Sequence, residues 1–320
     1  MFYRMIAFTI VLMTLPAQAA ETVGGDRAFS FVALGDMPYR DGDIVKFKRL
    51  VEAVNRLKPA FTIHVGDAKS GDSTCEPQDY QTILSQLQPF EGALVYTPGD
   101  NEWTDCHRAG KQPLDRLAMV RAMLFPDPGK SLGKTPLAVE SQAQAMPAHA
   151  AYVENVRFSR SDVQFMSVHV VGSNNGLRSP DADARAEVPR RDAANVAWLG
   201  DTFERAKAAN AKAVVVFMQA EFDFEREGSG ERMKPNSGFT KVLNALAQGA
   251  RDFGKPVLVI NGDKHIIELK TLKDSNGDRI PNALRLMLYG DEDVHAVRVI
   301  VDPDSPGVFG FVPLIVPENL

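Results

Sequence analysis

AFSFVALGDMPYRDGDIVKFKRLVEAVNRLKPAFTIHVGD, residues 28 to 67, is the stretch that decides the fold. Ala28 to Leu34 is an apolar run closed by Gly35-Asp36, which predicts a buried strand. Ile44, Phe47, Leu50, Val51, Val54 and Leu57 recur at helical spacing over Asp43 to Leu57, and Pro59 stops that helix. Phe61 to Val65 is a second apolar run, again closed by Gly66-Asp67. Strand, helix and strand at this spacing imply a right-handed crossover and a parallel sheet.

The unit recurs downstream. Pro77 to Leu87 reads as a helix with proline in its first turn, and Ala93 to Thr97 as a strand before Pro98-Gly99-Asp100-Asn101-Glu102. Phe125 to Ala148, rich in Pro, Gly, Ala and Gln, reads as a long surface excursion. Tyr152 to Phe158 and Val163 to Val171 read as a hairpin, followed by the polar loop Gly172 to Gly176. Asp192 to Ala208 is an amphipathic helix, and Ala213 to Met218 a buried strand ending at Gln219. Thr240 to Phe253 is helical, and Pro256 to Ile260 is a strand before Asn261-Gly262-Asp263-Lys264-His265. Beyond His265 the chain is antiparallel in character, over Ile266 to Thr271, Ala283 to Tyr289 and His295 to Val301. Asp274 to Asp278 imitates a calcium loop, but Arg285 stands at its twelfth position, so a hairpin turn is expected. Parallel units followed by hairpins predict an α/β fold. Two packed sheets form a sandwich with helices on the outer faces, in one domain from 28 to 320.

Residues 1–19 read as an address. Arg4 is the only charge before Glu21, Met5 to Leu15 is apolar, and Ala17-Gln18-Ala19 is a small-x-small cleavage site. The run is shorter than the roughly 20 residues a membrane anchor needs. A cleaved signal peptide, no anchor after cleavage, and a periplasmic or secreted protein are therefore expected. Cys75 and Cys106 are the only cysteines. In an exported chain two cysteines imply one disulfide. The net charge is −5 with no basic run, so no nucleic-acid partner is implied.

Gly-Asp closes four apolar runs, at Asp36, Asp67, Asp100 and Asp263. Ligands of open α/β sheets bind outside the carboxyl ends of the strands. Four carboxylates at one edge repel each other unless something positive sits among them, and a hard cation with oxygen ligands is the simplest candidate. Lys69 and Lys264 are the alternative counter-ions.

The order of these motifs resembles the calcineurin-like metallophosphoesterases, whose five blocks read D-x-H, G-D-x-x-D, G-N-H-D/E, a histidine after a strand, and G-H-x-H. The resemblance runs from about Ala28 to Val301. It implies a two-sheet sandwich holding two divalent metals bridged by the aspartate of the second block. Asp36, Asp67, Glu102 and His265 match that pattern. Pro38 and Ser70 replace ligands, Asp100 stands for asparagine, Asn101 and Gln219 for histidine, and Asp263 for the first histidine of the last block. The resemblance thus implies Asp36, Asp67 and His265 at one metal position, and Asp67, Asp100, Asp263 and Gln219 at the other. Carboxylate in place of imidazole favours Mn²⁺, Mg²⁺ or Ca²⁺ over Zn²⁺, in one or two sites.

Asn101 takes the place of the family's leaving-group acid. Glu102 is either a general base or an acceptor for the Trp103 indole. Lys69, Arg108, Asn174 and Asn175 are candidates for holding a small phosphorylated substrate, Arg108 through its fork. His64 and His169 read as core histidines. The leading expectation is an exported metal-dependent phosphoesterase working through a metal-activated water on a phosphomonoester or phosphodiester. The alternatives are a catalytically inactive binding protein on the same scaffold, or another hydrolase.

Overall fold

The computed structural model describes residues 25–320 except 223, 228 and 229. The expected signal peptide, residues 1–19, lies outside the described residues. The opening stretch folds as read: β1 (Phe29–Leu34), α1 (Asp41–Leu57), β2 (Thr62–His64), α2 (Pro77–Leu87) and β3 (Leu94–Tyr96). Then come α3 (Pro113–Leu124), β4 (Glu140–Ser141), α4 (Gln142–Ala145), β5 (Val156–Arg160) and β6 (Val163–Ser167). The single turn α5 (Gly172–Asn175) precedes α6 (Ala182–Ala208), β7 (Ala213–Phe217), β8 (Phe224–Glu227) and β9 (Gly230–Met233). The chain ends with α7 (Thr240–Phe253), β10 (Val257–Asn261), β11 (Glu268–Lys273), β12 (Arg279–Met287), β13 (Ala296–Val301) and β14 (Phe309–Leu314).

The fold is an α/β sandwich. One sheet has the order β14-β13-β1-β2-β3 and the other β11-β12-β10-β7-β6-β5-β4. Strand side chains alternate between two cores. Phe31, Ala33, Phe61 and Ile63 face Phe165, Val215, Phe217 and Ile260 between the sheets. Val32 and Leu34 turn outward onto Phe47, Leu50 and Val54 of α1 and Ile83 of α2. Val214, Val216 and Val259 turn the other way onto Trp198 and Phe203 of α6 and Leu243 and Leu246 of α7. Burial on both faces explains why the central strands read as continuous apolar runs.

Several features differ from the sequence reading, among them the β8–β9 hairpin, which was not expected. The helix expected from Asp192 starts at Ala182, where Asp181 caps Ala184 N at 2.7 Å, and runs through Pro189. Proline removes one backbone donor, yet packing on the seven-stranded sheet keeps the helix continuous. β12 lies parallel to β10, although it is antiparallel to β11. α3 was not read because its apolar residues serve two clusters, Leu114 and Leu117 packing near Trp103 and Val120 and Leu124 near α1 and α2. β14 carries Pro313 and occupies an edge, where a missing donor is tolerated.

Candidate functional site

β1, β2 and β3 of one sheet and β7 and β10 of the other deliver their exits to one edge. Asp36, Asp67, Asp100, Gln219, Asp263 and His265 all arrive there; Asp36, Asp67, Asp263, Gln219 and His265 form one bonded network with Tyr39, and Asp100 stands beside it, held by Ser173. Asp36, Asp67, Asp263 and His265 each hold a left-handed backbone, with φ of 54°, 53°, 81° and 59°. For a residue with a Cβ this costs about 1–2 kcal/mol each, and such strain concentrates at functional sites. The surrounding backbone is close: a Cβ on Gly172 would lie 2.7 Å from both Asp100 Oδ2 and Asp263 Oδ1.

Gln219 sits at the centre. Its Nε2 donates to Asp67 Oδ2 at 3.1 Å and Asp263 Oδ1 at 3.4 Å, and its Oε1 accepts from Gly172 N at 2.6 Å. Asp67 Oδ1 accepts from Asn101 N at 3.0 Å. Asp36 Oδ1 accepts from Asp263 N at 3.0 Å and lies 3.7 Å from His265 Nε2, while Asp36 Oδ2 is buried without a hydrogen-bond partner. Tyr39 Oη lies 3.4 Å from Asp67 Oδ2 and 3.2 Å from His265 Nε2. Ser173 Oγ is 2.8 Å from Asp100 Oδ2 and 3.1 Å from Asp105 Oδ1.

The electrostatics follow from this crowding. Burial and then neighbouring carboxylates hold Asp67 and Asp100 well above the usual carboxylate range. Burial, then Asp36, pushes Asp263 up to about 6. Asp36 is also raised, chiefly by burial, despite His265. Burial pulls the His265 imidazole down, but the hydrogen bond and charge of Asp36 outweigh it and leave it raised.

Neither proposed lysine counter-ion forms an ion pair with the four aspartates, although the charge of Lys69 is felt by Glu102 and Asp67. Lys69 Nζ donates to the Asn101 carbonyl and lies 3.2 Å from Cys75 Sγ, and Lys264 pairs with Glu221. Among the described residues no lysine or arginine forms an ion pair with Asp36, Asp67, Asp100 or Asp263. Glu102 is fully buried and accepts from Asp67 N, Ala68 N and Gly99 N at 3.0, 2.6 and 2.7 Å. It therefore ties the second and third motif loops together. The Trp103 indole has no hydrogen-bond partner, so Glu102 is not its acceptor. Asn101 Nδ2 donates to the Lys69 carbonyl at 3.1 Å.

Arg108, half exposed, pairs with Asp105 at 2.7 Å. Asn174 bonds with Asn236 and Gly238, and Asn175 is buried against Arg191, Asp192 and Gly238. Ser173, just before them, reaches Asp100 instead. Cys75 and Cys106 are disulfide-bonded, which clamps the loops after β2 and β3. Sequence reading missed Tyr39 and Ser173. Tyr39 stood three residues beyond Asp36, and Ser173 next to the predicted asparagines.

The oxygen-rich donor set suits a hard cation in its chemistry, and Asp36 Oδ2 lacks a partner. The placement does not suit one: among the described residues no group of three His, Cys, Asp or Glu side chains could hold a metal ion. The Gln219 amide, whose N–H groups donate, occupies the space between Asp67 and Asp263. The two-metal centre that the resemblance implies is therefore not formed by these side chains as they stand.

No family model and no curated protein matches the sequence. Among solved structures, a purple acid phosphatase from yellow lupin (Lupinus luteus) seeds matches with a TM-score of 0.49 and 9% identity. The match covers 91% of this chain and 55% of that one, so the chain spans about half the length of that protein.

Proposed function

We propose that the strand-exit cluster is the catalytic site of an exported hydrolase acting on small phosphate esters. One observation carries this reading. Four carboxylates stand together, three of them buried (Asp36, Asp67 and Asp100) and three on left-handed backbone (Asp36, Asp67 and Asp263), with no lysine or arginine ion pair to them among the described residues. Burying unpaired charge is expensive, and perturbed carboxylates in a cleft are the groups that acid–base chemistry requires.

In this reading the chain's own residues hold and move protons. Asp263 titrates near 6, so it can give a proton to a leaving oxygen and take one from an attacking water. Tyr39 and Gln219 fix Asp67, and Ser173 fixes Asp100. His265, whose pKa is held up by Asp36 against burial, would donate from its ring to a phosphate oxygen. Protonation of the cluster lowers its repulsion toward an anionic ester.

The metal part of the expectation has weaker support, because an ion shared by Asp67 and Asp263 would have to displace the Gln219 amide. An ion that this cluster takes up is of the hard, oxygen-preferring class, Mn²⁺, Mg²⁺ or Ca²⁺. A second reading is a catalytically inactive binding protein. The closed bonding of Gln219 and Glu102 favours it.

The test is metal analysis of purified protein, then aryl and alkyl phosphoesters assayed with chelator and with Mg²⁺, Mn²⁺, Ca²⁺ and Zn²⁺ separately. Turnover that Asp263→Asn removes supports the hydrolase. Absence of turnover under every condition overturns it in favour of the binding protein.

A further inference from the structure

β11 closes one end of the seven-stranded sheet, and among the described residues no strand pairs with its outer side. A sheet edge presents unpaired N–H and C=O groups, a ready template for a further strand. This edge is also apolar. Ile266, Ile267 and Leu269 are 60%, 38% and 47% exposed. Leu269 stands directly opposite Leu286 of β12, so both point to the face that packs on the five-stranded sheet. Leu269 thus carries the apolar layer between the sheets out to solvent.

The charges of the strand select one occupant. When two copies of an edge strand pair antiparallel about a two-fold axis, residues opposite each other share a face of the sheet. Side chains alternate along the strand, so the axis must pass through a residue and not between two. An axis through Leu269 sets Glu268 opposite the partner's Lys270, and Lys270 opposite the partner's Glu268. One residue earlier, Glu268 would face the partner's Glu268; one residue later, Lys270 would face the partner's Lys270. A lysine on an edge ordinarily blocks pairing, but in the Leu269 register it is matched. Within one chain Glu268 already bonds Lys270 and Arg285, each at 2.5 Å, so the charges of both copies join one network.

We propose that the β11 edge is a self-association surface. A second copy of this chain adds its own β11 antiparallel, about a two-fold axis at Leu269, and the two seven-stranded sheets become one continuous sheet. Main-chain hydrogen bonds supply the attraction, as in other strand additions. The side chains supply the register: Leu269 meets the partner's Leu269, Ile267 meets the partner's Thr271, and two opposite-charge pairs flank the axis. The surface does not depend on hydrolysis at the aspartate cluster, so it stands or falls by association alone.

The test is sedimentation equilibrium of the purified protein over a range of concentrations, with urea unfolding to check that each variant is folded. The parent is expected to approach twice the chain mass as concentration rises. Leu269→Lys, at an exposed position, sets like charges on the axis and should leave a folded monomer. Glu268→Lys and Lys270→Glu each turn both attractive pairs into repulsive ones, and each should weaken association roughly tenfold or more. An equimolar mixture of these two variants sets unlike charges opposite each other at both pairs, so it should recover a dimer that neither forms alone. A merely structural role for these charges predicts no such recovery. A parent that is monomeric at every concentration would overturn the proposal and leave the edge to a strand of another protein. A dimer that survives Leu269→Lys, or a mixture that stays monomeric, would overturn it as well.

Discussion

Gln219 donates from Nε2 to Asp67 Oδ2 at 3.1 Å, joining the exit of β7 in one sheet to the exit of β2 in the other. A neutral amide thus stands between Asp67 and Asp263 and donates to both. Its orientation is fixed because Oε1 accepts from Gly172 N.

Gln219→Glu places a further carboxylate in this buried cluster. It should cost about 3–5 kcal/mol near pH 8, as an uncompensated buried charge does, and clearly less at pH 5, where protons are shared. Urea unfolding at the two pH values measures this. A variant as stable as the parent at pH 8 would show that a cation sits among these carboxylates in solution.

Two buried groups should tilt the stability profile in opposite directions. His64 donates to the Met37 carbonyl and accepts from Gly66 N, and burial lowers its pKa to about 4. The unfolded chain then binds more protons between about pH 6.5 and 4, so stability is lost as pH falls through that window, by at most about 3 kcal/mol. Asp263 is raised to about 6, so the folded chain binds more protons between about pH 4 and 6. Its contribution is present at low pH and is lost as pH rises, again by at most about 3 kcal/mol. His64→Gln should flatten the acid limb and Asp263→Asn the opposite one. Unchanged slopes in both variants would refute these assignments.

The Cys75–Cys106 bridge closes a loop with a sequence separation of 31. In the chain-entropy model it contributes about 3–4 kcal/mol. The Cys75→Ser/Cys106→Ser double variant should show that loss in urea. Thiol titration of the denatured, unreduced parent should find no free thiol; two free thiols would contradict the bridge.

Much of this arrangement is local and was legible in the chain. α2 and α7 have the expected bounds because proline and helical apolar spacing mark them. Strand exits carry Gly-Asp, which places the aspartates at one edge without any knowledge of their partners. What was not legible is mostly non-local. Ser173 reaches Asp100 across 73 residues, and Tyr39 reaches His265 across 226. Lys69 looked like a counter-ion by proximity in sequence, yet its amine points to the Asn101 carbonyl. Glu102 read as either a base or an acceptor for the Trp103 indole, and only the fold reveals three backbone donors on it. Asn174 and Asn175 were separated from Ser173 by backbone geometry, since 173 to 175 are consecutive left-handed residues.

The last prediction concerns the proton for the leaving group. Asn101 has none to give, and its amide is bonded to the Lys69 carbonyl. Asp263, near 6, is the cluster member poised to give one at neutral pH. General-acid catalysis typically contributes about 10²–10⁴-fold, or roughly 3–5 kcal/mol of barrier. A phenolate leaves with little help, whereas an alkoxide needs its proton in the transition state. Asp263→Asn should therefore slow alkyl phosphoester turnover by about 10²–10⁴-fold, and aryl turnover by much less. The pH profile for alkyl esters should lose the limb near pH 6 in the same variant. Equal losses on the two ester classes would mean that Asp263 places the substrate and another group supplies the proton. Ser173→Ala, which frees Asp100, then becomes the variant to compare.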